Sequence, residues 1–358
     1  MDHADKIDIL DLLVQPAFSV KNGKILQVNQ PAAQRLISVG AEIGPLISTG
    51  ADEYAKFREG CLYLTLTISG KESGASVSKL EDSHVFVLED DADNSELRTM
   101  ALAAKELRIP LASIMTTADR LFPMLSGQES GTNDQIAQIN KGLFQMLRGI
   151  SNMSDAATFS TAGTCMEVRD ICAVLDEIFG RAQELVQHTG ITLRFSNLPG
   201  TIYCLADADK LERAVYNIIS NALKFTPKGG TITASLTRKG NKLLLSVQDS
   251  GSGIPSGLRS SIYSRFQREP AIEDIRFGIG LGMVLIRSAA AIHGGTVLID
   301  QPSGEGTRIT MTLQLRNAYE TTLRSPMIKI DYAGERDHGL IELSDSLPYA
   351  LYQIDLIN

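Results

Sequence analysis

Apolar positions along the chain change period three times. Between residues 97 and 125, Leu97, Met100, Ala101, Ala104, Leu107, Leu111, Ile114, Ala118, Leu121 and Leu125 recur at steps of three or four. That is the buried stripe of one long amphipathic helix. The polar run SGQESGTND interrupts it, and a second stripe follows through Ile136, Ile139, Leu143, Met146 or Leu147, Ile150 and Met153. The acidic stretch DDADNSE at 90–96 supplies a helix start. Two long helices joined by a polar turn predict a helical hairpin over 93–160. One hairpin cannot bury both stripes, whereas pairing with a second copy into a four-helix bundle would. Pro110 lies inside the first stripe. An interior proline costs about 3 kcal/mol, and because the stripe stays in phase beyond it, the helix is expected to bend there and not end.

Upstream, residues 1–92 carry the shorter signals of a mixed α/β unit. FSVKNGKILQVN is two apolar runs around Asn22-Gly23, a hairpin signal. A helical stretch is expected at PAAQRLISVGAEI, and CLYLTLTI and HVFVLED read as strands. Strand, strand, helix and strands in so short a span resemble a small PAS-like sensor domain. His84 heads a β run and reads as a surface or partly buried histidine, not a ligand.

Downstream, ITLRFSN, GTITASLTR, KLLLSVQD and TRITMTLQL are strand-like, and DADKLERAVYNIISNALKF and LGMVLIRSAAAIHG are helical, which makes 161–316 an α/β domain. In the tail, 317–358, MIKIDY, GLIELSD and YALYQIDLI read as short strands or a strand and a turn, with capping of a sheet edge or contact with a partner both open.

Composition narrows the classes. Apolar residues are 43% and charged residues 21% of 358, ordinary for a globular protein. The net charge of −8 argues against a molecule-wide nucleic-acid surface. Cys61, Cys165, Cys172 and Cys204 form no C-x-x-C pair, so a structural zinc site is not expected, and scattered thiols fit a reducing cytoplasm. MDHADKIDILDLLV lacks the basic-then-apolar order of a signal peptide, and no apolar run approaches the roughly 18–20 residues of a membrane helix. The expectation is a cytoplasmic protein with no membrane span and no nucleic-acid partner.

Three stretches carry candidate chemistry. In NIISNALKFTPKGG, Asn217, Asn221 and Lys224 fall at i, i+4 and i+7 and share a helix face. Two amide oxygens and an ammonium there suit a hard cation and phosphate oxygens, although a solvated face would carry the same pattern. In QDSGSGIP, Asp249 ends an apolar strand and enters a turn with Gly251 and Gly253. Its carboxylate suits an exocyclic amine, while the glycines alone fit any tight turn. In GIGLGMVLI, Gly278, Gly280 and Gly282 run into a helix, and backbone N–H groups at such a start suit an anion. The spacing is neither a dinucleotide fingerprint nor a Walker loop.

Together and in this order, the three resemble the N box and the two glycine boxes of the GHKL-type ATP-binding domain, in particular that of bacterial sensor histidine kinases. SSIYSRFQRE resembles the phenylalanine box with Phe266 in place, and HGG at 293–295 and GEGTRITMTL at 304–313 resemble the closing elements. The resemblance covers 93–316. It implies that Asn217 and Asn221 hold Mg²⁺ and phosphate oxygens, Lys224 reaches a phosphate, Phe225 flanks the adenine and Asp249 reads its amine. It implies further that Gly251 and Gly253 let the backbone approach the base, that Gly278, Gly280 and Gly282 shape the phosphate side and a short lid (REPAIEDIRF), and that Ile254, Leu281 and Thr307 join the ATP site. His293 would be structural. Where related gyrase-type ATPases carry a water-activating glutamate, this chain has Arg213, which cannot act as a base.

The family's hairpin helix carries Ser-His-Glu-Leu-Arg-Thr-Pro-Leu, whose histidine accepts the γ-phosphoryl group with help from the adjacent carboxylate. This chain reads AAKELRIPLASI, with Lys105 at the acceptor position and Glu106 beside it. A neutral imidazole has a nucleophilic nitrogen near pH 7, whereas an ordinary lysine ammonium has no lone pair with which to attack. The histidines His3, His84, His188, His293 and His338 all lie outside the hairpin. The threonine the family uses to position water for dephosphorylating its partner is Ile109.

The expected fold is thus multidomain α+β. It comprises a PAS-like sensor domain (1–92), a dimerising antiparallel hairpin that is a degenerate phosphoacceptor domain (93–160), a GHKL-type α/β sandwich that binds Mg-ATP (161–316), and an extension of unknown role (317–358). The expected partners are a second copy or a related kinase, and a response-regulator receiver domain. The expected function is two-component signalling without autophosphorylation, regulating a partner kinase or response regulator. The alternatives are an active kinase using a partner or another acceptor, and a docking scaffold that binds no nucleotide.

Overall fold

The computed structural model describes residues 10, 13–80, 82–89, 91–125, 131–158, 164–253, 281–302, 306–316 and 336–357. The N-terminal unit contains β1 (Ala17–Lys21), β2 (Lys24–Val28), α1 (Gln30–Gln34), β3 (Ile47–Thr49), α2 (Ala51–Lys56), β4 (Cys61–Ile68), β5 (Lys71–Leu80) and β6 (Ser83–Leu88). Asn22 (φ 52°) and Gly23 (φ 77°) make the tight turn between β1 and β2 that the Asn-Gly pair predicts. The helix expected over PAAQRLISVGAEI is cut short at Gln34, because the chain leaves helical geometry at Leu36 with φ 64°. Asn29, 1% exposed, caps α1 by accepting from the Ala32 N–H and also accepts from the Ala17 N–H, which ties the helix to the sheet. His84, partly buried, places Nδ1 3.1 Å from the Tyr54 hydroxyl and meets the Tyr54 and Phe57 rings edge-on.

Two long helices follow, α3 (Asp91–Leu125) and α4 (Thr132–Thr158). α3 runs through Pro110, as the unbroken stripe predicts. Along α3, Leu97, Ala104, Leu111, Met115 and Ala118 are buried, while Leu107, Ile114 and Leu121 remain about half exposed. On α4, Leu143, Phe144, Leu147 and Ile150 face inward, and Met146 points out. This resolves the Met146-or-Leu147 alternative in favour of Leu147.

The third unit comprises β7 (Glu167–Asp170), α5 (Ile171–Val186), β8 (Thr192–Ser196), β9 (Tyr203–Ala206), α6 (Ala208–Phe225), β10 (Thr231–Lys239), β11 (Lys242–Asp249), α7 (Gly282–Ile292), β12 (Val297–Asp300) and β13 (Arg308–Gln314). All four strands and both helices expected here are present. β7, β9, β12 and α5 are additional. α5 to α7 bury their apolar faces, including Phe179, Tyr216 and Leu285, against the sheet.

The two β units form one 11-stranded sheet in the order β2-β1-β6-β5-β4-β12-β13-β11-β10-β8, with β3 pairing β4 off this path. The join is the antiparallel pairing of β4 with β12, Tyr63 opposite Val297 and Cys61 opposite Ile299. Strand alternation explains how β4 serves both units. Leu62, Leu64 and Leu66 face the N-terminal core, while Cys61 and Tyr63 join the core of the third unit. Ion pairs at 2.7 Å (Lys242–Glu53) and 2.9 Å (Arg287–Glu89) cross the same seam.

The tail departs from expectation. Its described part is α8 (His338–Glu342), a 3₁₀ turn at Tyr349–Tyr352 and α9 (Ile354–Ile357), not strands. The Asp337 carboxylate accepts from the Leu340 N–H and starts α8. Leu340, Ile341, Leu343 and Leu347 are then all buried, so their spacing served a helix and turn that pack on α4, α5 and α6. MIKIDY lies outside the described residues.

Candidate functional site

The site grows from α6 and from the turn after β11. The Asp207 side chain caps α6 by accepting from the Lys210 N–H at 3.2 Å. The helix then carries Arg213, Asn217, Ser220 and Lys224 on one face, at steps of three and four. β11 delivers Asp249, 6% exposed, to a turn where its Oδ1 accepts from the Gly251 N–H at 2.8 Å and the Thr307 N–H at 3.1 Å. Oδ2 takes no hydrogen bond among the described residues, which leaves it as the acceptor for an external donor. Burial pushes the Asp249 carboxyl above its ordinary value, against the opposing pull of the Gly251 and Thr307 amides.

The turn leaves no room for side chains. A Cβ on Gly251 would stand 2.3 Å from the Phe225 carbonyl oxygen, and one on Gly306 would stand 1.9 Å from the Asp249 carbonyl oxygen. Phe225, at the end of α6, is 46% exposed beside this turn. The carboxylate, the glycine turn, Thr307 and Phe225 therefore lie together at one place. Their chemistry suits a flat, amine-bearing ring.

At the other end, Gly282 opens α7 with its Cα facing the Asn217 side chain, and Leu281 is buried as the residue before the helix. Asn221 reaches the Met283 sulfur at 3.8 Å. Ile254, Phe266, Gly278, Gly280 and the lid stretch lie outside the described residues. Asn217 donates to the Arg213 carbonyl at 2.8 Å, while its Oδ1 lies 3.5 Å from Arg148 Nη2 of α4. The Asn217 amide oxygen is thus turned to a guanidinium in this arrangement.

Arg148 was not singled out by the sequence, nor were Glu342 and Asp345. Arg148 sits 2.6 Å from Asp345 and 3.5 Å from Glu342, and the Lys224 ammonium sits 3.0 Å from the same Asp345 oxygen. Arg213, at the position of the gyrase-type base, pairs with Asp155 at 2.7 Å, Glu342 at 3.1 Å and Asn152 at 2.6 Å. These contacts make it a structural cation. Burial raises the Asp155 carboxyl above its ordinary value, and Arg213 opposes that rise. The one available signal in the sequence was Glu342 itself, a carboxylate inside the apolar run LIELSDSL.

His293 ends α7. Its Nδ1 is 2.7 Å from the Ala289 carbonyl and so donates, while Nε2 accepts from the Asp207 N–H at 3.1 Å. It is 2% exposed, and burial holds its pKa below the ordinary histidine value. The Ala289 carbonyl and Asp207 act in the opposite direction, and Arg316 and Lys210 add to the lowering. The unfolded chain therefore takes up a proton at this residue before the folded one does. Stability from His293 is complete above about pH 6.5 and is lost as pH falls toward its folded pKa. Thermal melts between about pH 7.5 and about pH 5.5 are expected to fall more steeply for the natural chain than for His293→Gln. Parallel slopes would contradict this account.

Lys105 and Glu106 both lie on the exposed face of α3.

Residues 206–317 match the family model described as histidine kinase-, DNA gyrase B-, and HSP90-like ATPase. The sensor histidine kinase TmoS of Ectopseudomonas mendocina is 29% identical over 62% of this chain and 23% of its own length. The sensor protein DivL of Caulobacter vibrioides is 29% identical over 58% of this chain and 26% of its own. The histidine protein kinase DivJ of the same organism is 30% identical over 60% and 37%. The chain thus spans well under two thirds of each of these relatives. Among solved structures, full-length ShkA in complex with AMPPNP shares the fold, with a TM-score of 0.50 at 20% identity over 62% of this chain and 46% of that one. Through residues 206–317 the chain carries a histidine kinase-like ATPase domain, and over about three fifths of its length it is similar to sensor histidine kinases.

Proposed function

We propose that this chain is a two-component signalling protein that binds Mg-ATP and does not phosphorylate itself. It acts on a partner kinase or on the receiver domain of a response regulator. The observation that carries the first half is the built base end of the site. A buried carboxylate keeps Oδ2 as an acceptor beside glycines that admit no side chain and beside the Phe225 ring. These residues fit an adenine. Asp249 would take its amine, Phe225 would cover its face, and Lys224, Asn217 and Asn221 would hold phosphate oxygens and Mg²⁺ after rearranging away from Asp345 and Arg148. Bound ATP supplies a transferable γ-phosphoryl group.

Lys105 carries the second half. At an exposed helix position, the Lys105 side chain stands in solvent and not in the apolar burial that a nucleophilic lysine needs. Ile109, 73% exposed, offers no hydroxyl to position a water for dephosphorylation.

The remaining parts fit this role. The N-terminal strand order β2-β1-β6-β5-β4 supports a PAS-like sensor. The half-exposed Leu107, Ile114 and Leu121 on α3 support a second copy, or a related kinase, packing there as a four-helix bundle. Cys61, Cys165, Cys172 and Cys204 form no disulfide, which supports a cytoplasmic setting. Among the described residues, no helix is long and apolar enough to cross a membrane.

Equilibrium binding of AMPPNP to the full chain in Mg²⁺ buffer tests the nucleotide reading, with Asp249→Asn as the comparison. Saturable binding that the variant weakens supports it. Absence of binding to either chain would favour a docking scaffold instead.

A further inference from the structure

The cations on the nucleotide-facing side of α6 are engaged by the chain's own C-terminal segment. Asp345 places one carboxylate oxygen 3.0 Å from Lys224 Nζ and 2.6 Å from Arg148 Nη1. Three residues earlier, Glu342 is fully buried between Arg213 (3.1 Å) and Arg148 (3.5 Å). Arg148 belongs to α4 of the hairpin, and Arg213 and Lys224 belong to α6 of the ATPase unit. The two acids thus bridge the hairpin to the ATPase unit.

The segment is anchored along its whole described length. Asp337 pairs with Arg181 of α5 at 2.8 Å. The Asn140 side chain of α4 donates to the Tyr352 carbonyl at 3.1 Å. The Tyr352 ring is buried edge-on against Phe144, and its hydroxyl donates to the Leu340 carbonyl at 2.7 Å.

We propose that residues 336–357 are an autoinhibitory clasp, in which Asp345 occupies the charge position of a nucleotide phosphate on Lys224 while Glu342 locks the ATPase unit onto α4. This inference rests on the nucleotide reading above. A phosphate approaching Lys224 meets the Asp345 carboxylate on the same ammonium, and like charges sharing one cation repel. Asn217 is held in the same way, its oxygen turned to Arg148. Nucleotide binding and clasp docking therefore exclude one another. By linkage, each weakens the other by the same factor. The clasp also fixes α4 against α6, so its release frees the ATPase unit from the hairpin.

The test is an AMPPNP titration of the full chain and of its Asp345→Asn variant. It is combined with hydrogen exchange of residues 336–357 in the natural chain with and without saturating AMPPNP. The side chain of Asp345 is 17% exposed, and asparagine preserves its shape. The clasp predicts at least tenfold tighter AMPPNP binding by the variant. It also predicts loss of exchange protection across 336–357 when the natural chain binds AMPPNP. Equal affinities together with unchanged protection would overturn the clasp and leave the nucleotide site standing. Absence of AMPPNP binding by both chains would overturn the nucleotide site, and the clasp with it. Should the variant fold poorly, the exchange measurement on the natural chain decides alone.

Discussion

Replacing Glu342 by alanine is expected to lower the folding stability of the chain by about 3–5 kcal/mol. The side chain is 0% exposed, and its two oxygens face Arg213 at 3.1 Å and Arg148 at 3.5 Å. Those guanidiniums are themselves 4% and 5% exposed. Removing the carboxylate takes one of two acidic partners from each guanidinium, Arg213 keeping Asp155 and Arg148 keeping Asp345, and most of the loss comes from the under-compensated positive charge left in a poorly solvated place. Glu342→Gln keeps an acceptor for one arginine and turns an NH₂ group to the other, and because it leaves the space filled it is expected to lose less, about 1–3 kcal/mol. Urea denaturation followed by tyrosine fluorescence measures both. A loss for Glu342→Ala below about 1 kcal/mol, the range of an exposed ion pair, would contradict a buried bridge between the hairpin and the ATPase unit.

The second large effect is on binding. Asp249→Asn is expected to weaken AMPPNP affinity by about 10- to 100-fold while leaving the fold intact, because hydrogen bonds to charged groups are worth about 1.5–3 kcal/mol. Asparagine retains an Oδ1 to accept from Gly251 and Thr307, so the turn survives. At the second position it presents an NH₂ group in place of Oδ2. A donor there meets the amine of the base as another donor. Asp249→Ala would not separate these effects, since it also strips the acceptor from two backbone N–H groups. Isothermal titration with AMPPNP gives the affinity, and a circular-dichroism melt checks the fold. Unchanged affinity would remove Asp249 from base recognition.

The contrast between these two residues shows what a sequence exposes. Asp249 stands at the end of a strand and two residues before a glycine turn, so the features that define it are local in the chain. Asn217, Asn221 and Lys224 are equally legible because helix periodicity alone puts them on one face. Arg148 and Asp345 are 197 positions apart, and no period links them. The same holds for the pairing of β4 with β12, which joins strands from two units whose individual patterns give no sign of a shared sheet.

Misreadings followed the same rule. GLIELSD offered apolar residues of ambiguous period, and the short helix became definite only because Asp337 caps it and α4 to α6 cover it. The helix expected after Asn29 ended early because of a single left-handed residue, Leu36, a conformation a leucine seldom adopts. Along α3 and α4, the apolar stripes marked two helices. It gave no means of separating the residues buried within one chain, such as Leu111, from those left half exposed, such as Leu107. That division depends on what packs on each face.

On the proposed function, a nucleotide site is built beside a helix that lacks a phosphoacceptor. The direct measurement is incubation of the full chain with γ-labelled ATP and Mg²⁺, alongside Lys105→His in the natural and Asp345→Asn backgrounds. Acid quenching then tests each labelled product, since phosphohistidine is acid-labile. The account predicts no label on the natural chain and acid-labile label on the histidine variant, strongest where Asp345 is also replaced. Acid-labile label on the natural chain would contradict it.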